Sequence, residues 1–392
     1  MTINELLAPD QPITWLPWAV QYFFLIGLAY GALWLGAADL WRKAPDRRLQ
    51  TLAAVLMMGA GVVAPIALTA DLHQPARAWH FYAQTRFGSI MWYGAYLLPL
   101  FSLLSMLFGW LLIRPNLARR GEERDRVAAL ARLLCLGHWP SEPWLKPLAL
   151  MAALSGLSIA LYTGLETMAV AARPLWHTPW LPWLLVLSAL LAAQSALLLL
   201  NRLLTGWQGR TEADLLLNRL LTGWQGRTEA DLLRQIRPTL ALLTLSLLGW
   251  ALFGGASAAE ASALYRLDPS WRLAAHWLLL TLGLLGLLLL AGHRFSPRLQ
   301  AWGLGLLALH LVWGLRWLVL IQGQLVPKYG AGVYVYQIAW GPTGVLGILG
   351  TFGLLLALLV ALSELVRAPA LPSVTQASAT QASTTHSARE AI

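Results

Sequence analysis

The sequence predicts an all-α integral membrane protein of about nine transmembrane helices, and three observations lead there. Hydrophobic residues make up 58 % of the 392 residues and charged residues 12 %, about half the usual charged share of a soluble domain. A single water-soluble core has no room for that much apolar surface, so lipid must solvate much of it. Nine separate stretches satisfy the requirement of roughly 20 apolar residues per membrane-crossing helix. Basic residues are concentrated in alternate connections between those stretches.

The first span runs from about Pro17 to Leu40 and is followed by Arg42, Lys43, Arg47 and Arg48. The second, about Leu49 to Ala70, leads into the polar run TADLHQPARAWHFY. The third, about Ile90 to Ile113, is separated by seven basic residues, Arg114 to Lys146, from the fourth, about Pro147 to Val170. The fifth and sixth, about Pro179 to Leu200 and Pro238 to Ser257, flank a connection with six arginines from Arg202 to Arg237. The seventh, about Leu273 to Gly292, is separated by Arg294 and Arg298 from the eighth, about Leu299 to Ile321. The ninth covers about Thr343 to Val366.

One side, including Arg367 and Arg389 of the tail, carries 21 basic residues. The other carries 6, namely Arg77, Arg86, Arg173, Arg266, Arg272 and Lys328, while Arg316 falls inside a span. The positive-inside rule places the N-terminus outside and the C-terminus in the cytoplasm. The unbroken alternation supports an odd number of spans. Residues 1–366 form one polytopic domain, and residues 367–392, poor in bulky apolar groups, read as a disordered cytoplasmic tail. MTINELLAPDQPITW carries Glu5 and Asp10 and no basic n-region, so the first hydrophobic stretch is the expected insertion signal rather than a cleaved peptide.

Residues 200–216, LNRLLTGWQGRTEADLL, recur letter for letter as 217–233. Solenoid repeats diverge and come in threes or more, so this reads as a tandem duplication that lengthens a cytoplasmic loop. The single cysteine, Cys135, excludes an internal disulfide, a cysteine zinc site and an iron–sulfur cluster, and reads as an ordinary free thiol. The net charge of +10 does not point to nucleic acid, because the basic residues lie between apolar spans, where topology and anionic lipid account for them.

Polar groups at membrane depth are costly and are the natural functional candidates. They gather near the outer face. The first span opens with Trp15, Pro17, Trp18, Gln21 and Tyr22; the second ends with Asp71, His73, Arg77, Trp79, His80 and Tyr82; the fourth ends with Tyr162, Glu166, Arg173 and His177. Tyr162 and Glu166 are spaced i,i+4 and share a helix face. On the simplest reading the aromatics form an interfacial belt, and Arg77 and Arg173 contact lipid headgroups. An acid one turn from a tyrosine near the end of a span points instead to proton chemistry. Oxidising a membrane quinol requires partners for two oxygens, a proton acceptor and an apolar slot for the tail; Tyr, His, Gln and Asp or Glu at a membrane boundary supply the first two.

Four runs carry a family resemblance: ARPLWHTPWLPWLLVLSALLAAQSAL after YTG, PWAVQYFFLIGLAYG in the first span, ADLHQPARAWHFY after the second, and LRWLVLIQGQ closing the eighth. Spread over most of residues 14–324, they resemble the membrane subunits of the polysulfide reductase (NrfD/PsrC) family. The resemblance implies an NrfD-like pair of four-helix bundles, with the ninth span as an extra C-terminal helix. It also implies a quinol-oxidising anchor in a bacterial inner membrane, N-terminus periplasmic, with no haem or metal of its own. Menaquinol or ubiquinol would be its redox substrate. Electrons would pass to an extracytoplasmic, ferredoxin-like iron–sulfur subunit and on to a molybdopterin catalytic subunit, where the terminal reaction takes place. The family's quinone-site tyrosine in the YTG-type motif carries over to Tyr162. Its polar positions early in the first span carry over to Gln21 and Tyr22, where some members have Asn and His. With these, Trp18 and His73 make up the expected quinone-binding set, and Tyr162, Glu166 and Asp71 the expected catalytic groups.

Other readings make different demands. A haem b protein needs axial histidines at matching depth, but His276 and His310 differ in depth by about 6 Å, and His73, His80 and His177 fall in or near loops. His310 and Trp313 share a face suited to packing or hydrogen bonding between helices. Arg316 is expected to pair with a carboxylate or to snorkel. A secondary transporter would place charges near the midplane, whereas the central thirds of these spans are nearly free of charge. A purely structural anchor leaves Tyr162, Glu166 and Asp71 without a purpose.

Overall fold

The computed structural model describes residues 13–72, 74–84, 86–137, 139–207, 224–291, 294, 297–326, 333–334 and 336–366. Within them the chain forms helices α1 (Pro17–Asp39), α2 (Arg47–Asp71), α3 (His80–Ala83), α4 (Ile90–Arg120), α5 (Arg126–Cys135) and α6 (Glu142–Met168). There follow α7 (Trp180–Trp207), α8 (Trp224–Phe253), α9 (Ala256–Leu267), α10 (Pro269–Leu290), α11 (Pro297–Leu320) and α12 (Val345–Leu365). Among the described residues nine helices are long and apolar enough to cross a membrane, all but α3, α5 and α9. His73, Lys328, the tail 367–392 and residues 208–223 of the duplication lie outside the described residues.

Local chemistry starts these helices. Pro17 opens α1 with its ring in the first turn, where no backbone donor is required. Asp46 caps α2 by accepting from the amides of Arg48 (3.0 Å) and Leu49 (3.3 Å). Asp268 caps α10 in the same way through Ser270 (3.0 Å) and Trp271 (3.2 Å). Two expected starts shift: α6 and α8 begin at Glu142 and Trp224 and run through Pro147 and Pro238. Neighbouring helices in a membrane bundle can satisfy the carbonyl a proline frees, so proline need not mark an end there. Helix α4 continues past Ile113 to Arg120. The buried Arg114 guanidinium anchors this extension, donating to the carbonyls of Cys135 (3.0 Å), Trp139 (2.5 Å) and Gly137 (2.7 Å).

Helices α1, α2, α4 and α6 close one four-helix bundle, each packing on the next around the ring. Helices α7, α8, α10 and α11 make a second, in which α8 packs on α7 and α10 on α11, while α8 and α10 share at most a marginal contact. Helix α1 lies at the junction: 89 % of its apolar window is buried, against 22 % for α8 and 17 % for α10 and α12, which present most of their surface to lipid. The bundles meet where α1 crosses α7, and small residues let them approach. A Cβ on Gly27 would stand 3.0 Å from the Ala189 methyl, and one on Gly31 2.7 Å from that of Ala193. Gly27 and Gly31 therefore face Ala189 and Ala193 as a pair of small-xxx-small stripes. The extra helix, α12, packs on the first bundle, against α2 and α1.

The ends of α1 and α2 that carry Arg42 to Arg48 meet α7 and α8 in a polar network. Asp39 accepts from the Asp46 amide (2.7 Å) and Gln50 (2.8 Å), and Arg42 pairs with Asp231 (2.7 Å). Arg48 donates to Asn201 (2.5 Å), and Arg202 pairs with Glu229. Asn201 and Arg202 belong to the first copy of the duplicated segment, Glu229 and Asp231 to the second. These helix ends make up the basic face of the bundle, and the end bearing Pro17 lies at the opposite face.

Candidate functional site

Three of the expected residues converge about two turns below the opposite face, from two helices of the first bundle. Tyr162 on α6 is 8 % exposed and Tyr22 on α1 is 2 % exposed. Both lie within electrostatic range of the half-buried Glu166, one turn further along α6. Tyr162 is six residues from the end of α6 and Tyr22 five from the start of α1, depths of roughly 8–9 Å at 1.5 Å per residue. Gly94 of α4 forms the facing wall: a Cβ there would occupy the space of the Tyr162 hydroxyl and ring carbon, so only glycine leaves room for the tyrosine. The cluster thus holds two phenolic hydroxyls and a carboxyl inside an apolar bundle, a set able to hydrogen-bond a neutral oxygen and take up a proton.

At the same face, between the end of α2 and the start of α4, lies a surface cavity. Gln74, Arg77, His80 and Arg86 line it together with Met91 and Trp92 from the first turn of α4, directly before Gly94. Around it stand exposed aromatics, Trp79 (58 %), Tyr82 (54 %) and Phe87 (82 %).

The other expected residues have structural partners. Gln21 is fully buried: its Nε2 donates to Thr351 Oγ1 (2.6 Å) and the Ile348 carbonyl (3.0 Å), and its Oε1 accepts from Trp313 Nε1 (2.8 Å). It ties α1 to α11 and α12. Trp18 packs on Gly347 of α12. Asp71, at the end of α2, accepts from the Leu16 amide (2.9 Å) and so holds the entry to α1. His73 lies outside the described residues.

Several other expectations meet a definite outcome. Arg173 is turned into the protein instead of standing exposed at the surface: it is buried, and its guanidinium donates to the carbonyls of Gly323 (2.9 Å) and Val326 (3.1 Å) and stands over the Trp176 ring. Burial pulls its pKa below the ordinary arginine value and pushes that of Glu260, which accepts from the Leu175 amide, above the ordinary carboxylate value. Arg316 neither snorkels nor pairs with a carboxylate among the described residues; it is 1 % exposed and donates to Phe23 O (3.0 Å) and Ser188 Oγ (3.1 Å). His310 accepts from Trp277 Nε1 (2.5 Å), the interhelical bond its face suggested, and His276 bonds Tyr265 (2.6 Å).

Sequence reasoning missed Gln324, which is 3 % exposed and straps residues 14–15 to the end of α11. Its Oε1 accepts from the Thr14 and Trp15 amides (both 2.9 Å), and its Nε2 donates to Trp15 O (2.9 Å). Its position in the polar pair Gln322–Gln324 just past a span was the available signal. Gly94 carried no such signal, because its function is to be small opposite a residue 68 positions away in sequence.

Fold and site together define a multi-pass helical membrane protein with a protonatable cluster buried near one face. The matched family model is that of polysulphide reductase, NrfD, over residues 6–328, and the chain belongs to this family. It is similar to a subunit of tetrathionate reductase from Salmonella typhimurium, with 35 % identity over 373 residues that cover 93 % of this chain and 95 % of that protein.

Proposed function

We propose that this chain is the membrane subunit of a multi-subunit reductase complex of the tetrathionate reductase type, and that it oxidises quinol at the Tyr162–Glu166–Tyr22 cluster. The observation that carries the reading is the gathering of two phenols and a carboxyl inside the first bundle, with Tyr162 packed against Gly94, near the face that also bears a surface cavity. The similarity to a tetrathionate reductase subunit supports it.

Menaquinol or ubiquinol enters with its tail between the helices. Tyr162 hydrogen-bonds the reacting oxygen, and Glu166 takes the first of the two protons released. Asp71, at the same face, takes the second. The two electrons leave one after the other through the opposite face, since each iron–sulfur cluster takes one electron at a time, to a ferredoxin-like subunit and then to a molybdopterin subunit that reduces the terminal acceptor. The iron–sulfur partner docks on the exposed aromatics around Arg77 and Arg86; Arg173 is occupied inside the protein and takes no part. The membrane is the bacterial inner membrane, with the opposite face periplasmic and the basic face cytoplasmic.

The test is quinol-analogue oxidation by the purified complex. Tyr162→Phe should assemble normally and lose about tenfold or more in rate, the scale of one hydrogen bond lost in the transition state. Glu166→Gln should slow proton release and shift the pH profile. Wild-type turnover in an assembled Tyr162→Phe, Glu166→Gln double variant would refute the site. Crosslinks of the iron–sulfur partner only to the basic face would refute the docking arrangement.

A further inference from the structure

We propose that the second bundle contains a separate binding site for a membrane amphiphile, a hydrocarbon chain carrying a hydrogen-bond-accepting oxygen head, with Arg316 and Ser188 as its polar end. This inference does not rest on the quinol chemistry assigned to Tyr162.

The site is a cavity of about 70 Å³ between α7, α8, α10 and α11. Its walls are apolar, with Leu181, Leu185, Leu247, Trp250, Trp271 and Leu318 among them, and its polar lining comes from Thr178, Ser188 and Arg316. On this measure a water needs about 10–15 Å³, so the space holds a headgroup of about five heavy atoms but not a whole lipid.

Two observations point to an occupant. The first is an unneutralised charge. Arg316 is 1 % exposed and no carboxylate lies within ion-pair distance among the described residues. A guanidinium stays protonated in proteins. Its partners are neutral: Phe23 O (3.0 Å), Ser188 Oγ (3.1 Å), Val312 O (3.2 Å), at a long 3.4 Å Leu185 O, and the Tyr30 hydroxyl beside it. A charge held in hydrocarbon surroundings is strongly stabilised by any further oxygen acceptor.

The second is access. Helices α8 and α10 flank the cavity and share at most a marginal contact, with α9 packing on both where it joins their ends, and both leave most of their surface outside the bundle. An acyl or isoprenoid chain can therefore enter sideways between them with its head towards Arg316. Arg316 is four residues from the end of α11, roughly 6 Å deep. That depth suits a quinone carbonyl, a fatty-acid carboxyl or a phospholipid ester, which share the acceptor chemistry.

The experiment is photolabelling of the full chain in nanodiscs by two tail-bearing diazirine probes, a quinone analogue and a fatty acid, with labelled peptides mapped by mass spectrometry. At least one probe should label α8, α10 or α11 around Trp250, Trp271 and Leu318. Leu247→Phe, which fills the cavity from α8 without touching Arg316, should cut that labelling about fivefold or more. Arg316→Gln should cut it about tenfold, the loss of one charge-assisted hydrogen bond. Competition by excess unlabelled quinone, fatty acid or anionic phospholipid identifies the source. Should Arg316→Gln fail to fold, Leu247→Phe still decides the matter. Absence of labelling by both probes, or labelling unchanged in Leu247→Phe, overturns the proposal. Because the readout needs no turnover, it is unaffected if Tyr162 proves not to oxidise quinol.

Discussion

Replacing Gln21 with Leu separates two roles that this side chain can have, quinone contact or helix tie. The side chain makes three hydrogen bonds, at 2.6, 2.8 and 3.0 Å, to groups on α11 and α12. Bonds between membrane helices average about 0.6 kcal/mol each, which gives about 2 kcal/mol for the set. Thr351 keeps a partner after the change, because its hydroxyl also bonds Gly347 O (3.0 Å) within α12. Among the described residues the half-buried Trp313 indole N–H has no other acceptor, and a stranded donor costs about 1–3 kcal/mol in place of the average bond's roughly 0.6. The expected loss is therefore about 2–4 kcal/mol. It should be measured by unfolding of the purified chain in bicelles, alongside quinol oxidation by the purified complex that contains the folded variant. If the tie is the role, stability falls by that amount and the complex oxidises quinol within about threefold of wild type, a difference of less than 1 kcal/mol. A variant with undiminished stability and an oxidation rate down by more than tenfold would place the amide on the quinone and refute the reasoning.

Three further outcomes follow from the structure. Gly94→Ala puts a methyl where the Tyr162 ring stands; overpacking of this kind costs about 1–3 kcal/mol, and quinol oxidation should fall at least as far as in Tyr162→Phe, so an undisturbed rate would remove Gly94 from the site. Deleting residues 217–233 should leave insertion and oxidation intact. The remaining copy supplies Thr211, Glu212 and Asp214 in place of Thr228, Glu229 and Asp231, provided the last turn of α7 and the first turn of α8, which the deletion brings together at residue 207, open into a new connection; a protein that no longer inserts would show that both copies are needed. Burial raises the folded-state pKa of Glu260, so the folded state holds its proton more tightly than the unfolded state. The stabilisation is fully present below the ordinary value of 4.5 and is lost as pH rises through the folded-state pKa. Stability measured against pH should therefore decline over that window in wild type and stay flatter in Glu260→Gln; identical profiles would remove Glu260 as the source.

Much of this protein could be read from its residues in order. Nine spans, the basic face and the pairing of Tyr162 with Glu166 were all legible, because hydropathy over about 20 residues, charge in a connection and an i,i+4 spacing are local properties. The boundaries were less so: Pro147 and Pro238 look like helix starts in isolation, and only neighbouring helices make them interior positions.

The fate of each polar group was decided by tertiary structure alone. Gln21 meets Thr351 across 330 positions, Arg173 meets Gly323 across 150, and Arg316 meets Phe23 across 293. No window of sequence contains both partners of such a bond, so a buried glutamine that ties helices and one that awaits a ligand look alike until the bundle forms. The same holds for Gly94 and Tyr162, and for α12, whose apolar sequence suits many lipid-facing surfaces and whose place on the first bundle depends on Gly59 and Gly347 meeting Leu355, Leu359 and Trp18. In a membrane the apolar faces are nearly interchangeable, and close packing of small residues with long-range hydrogen bonds selects among them.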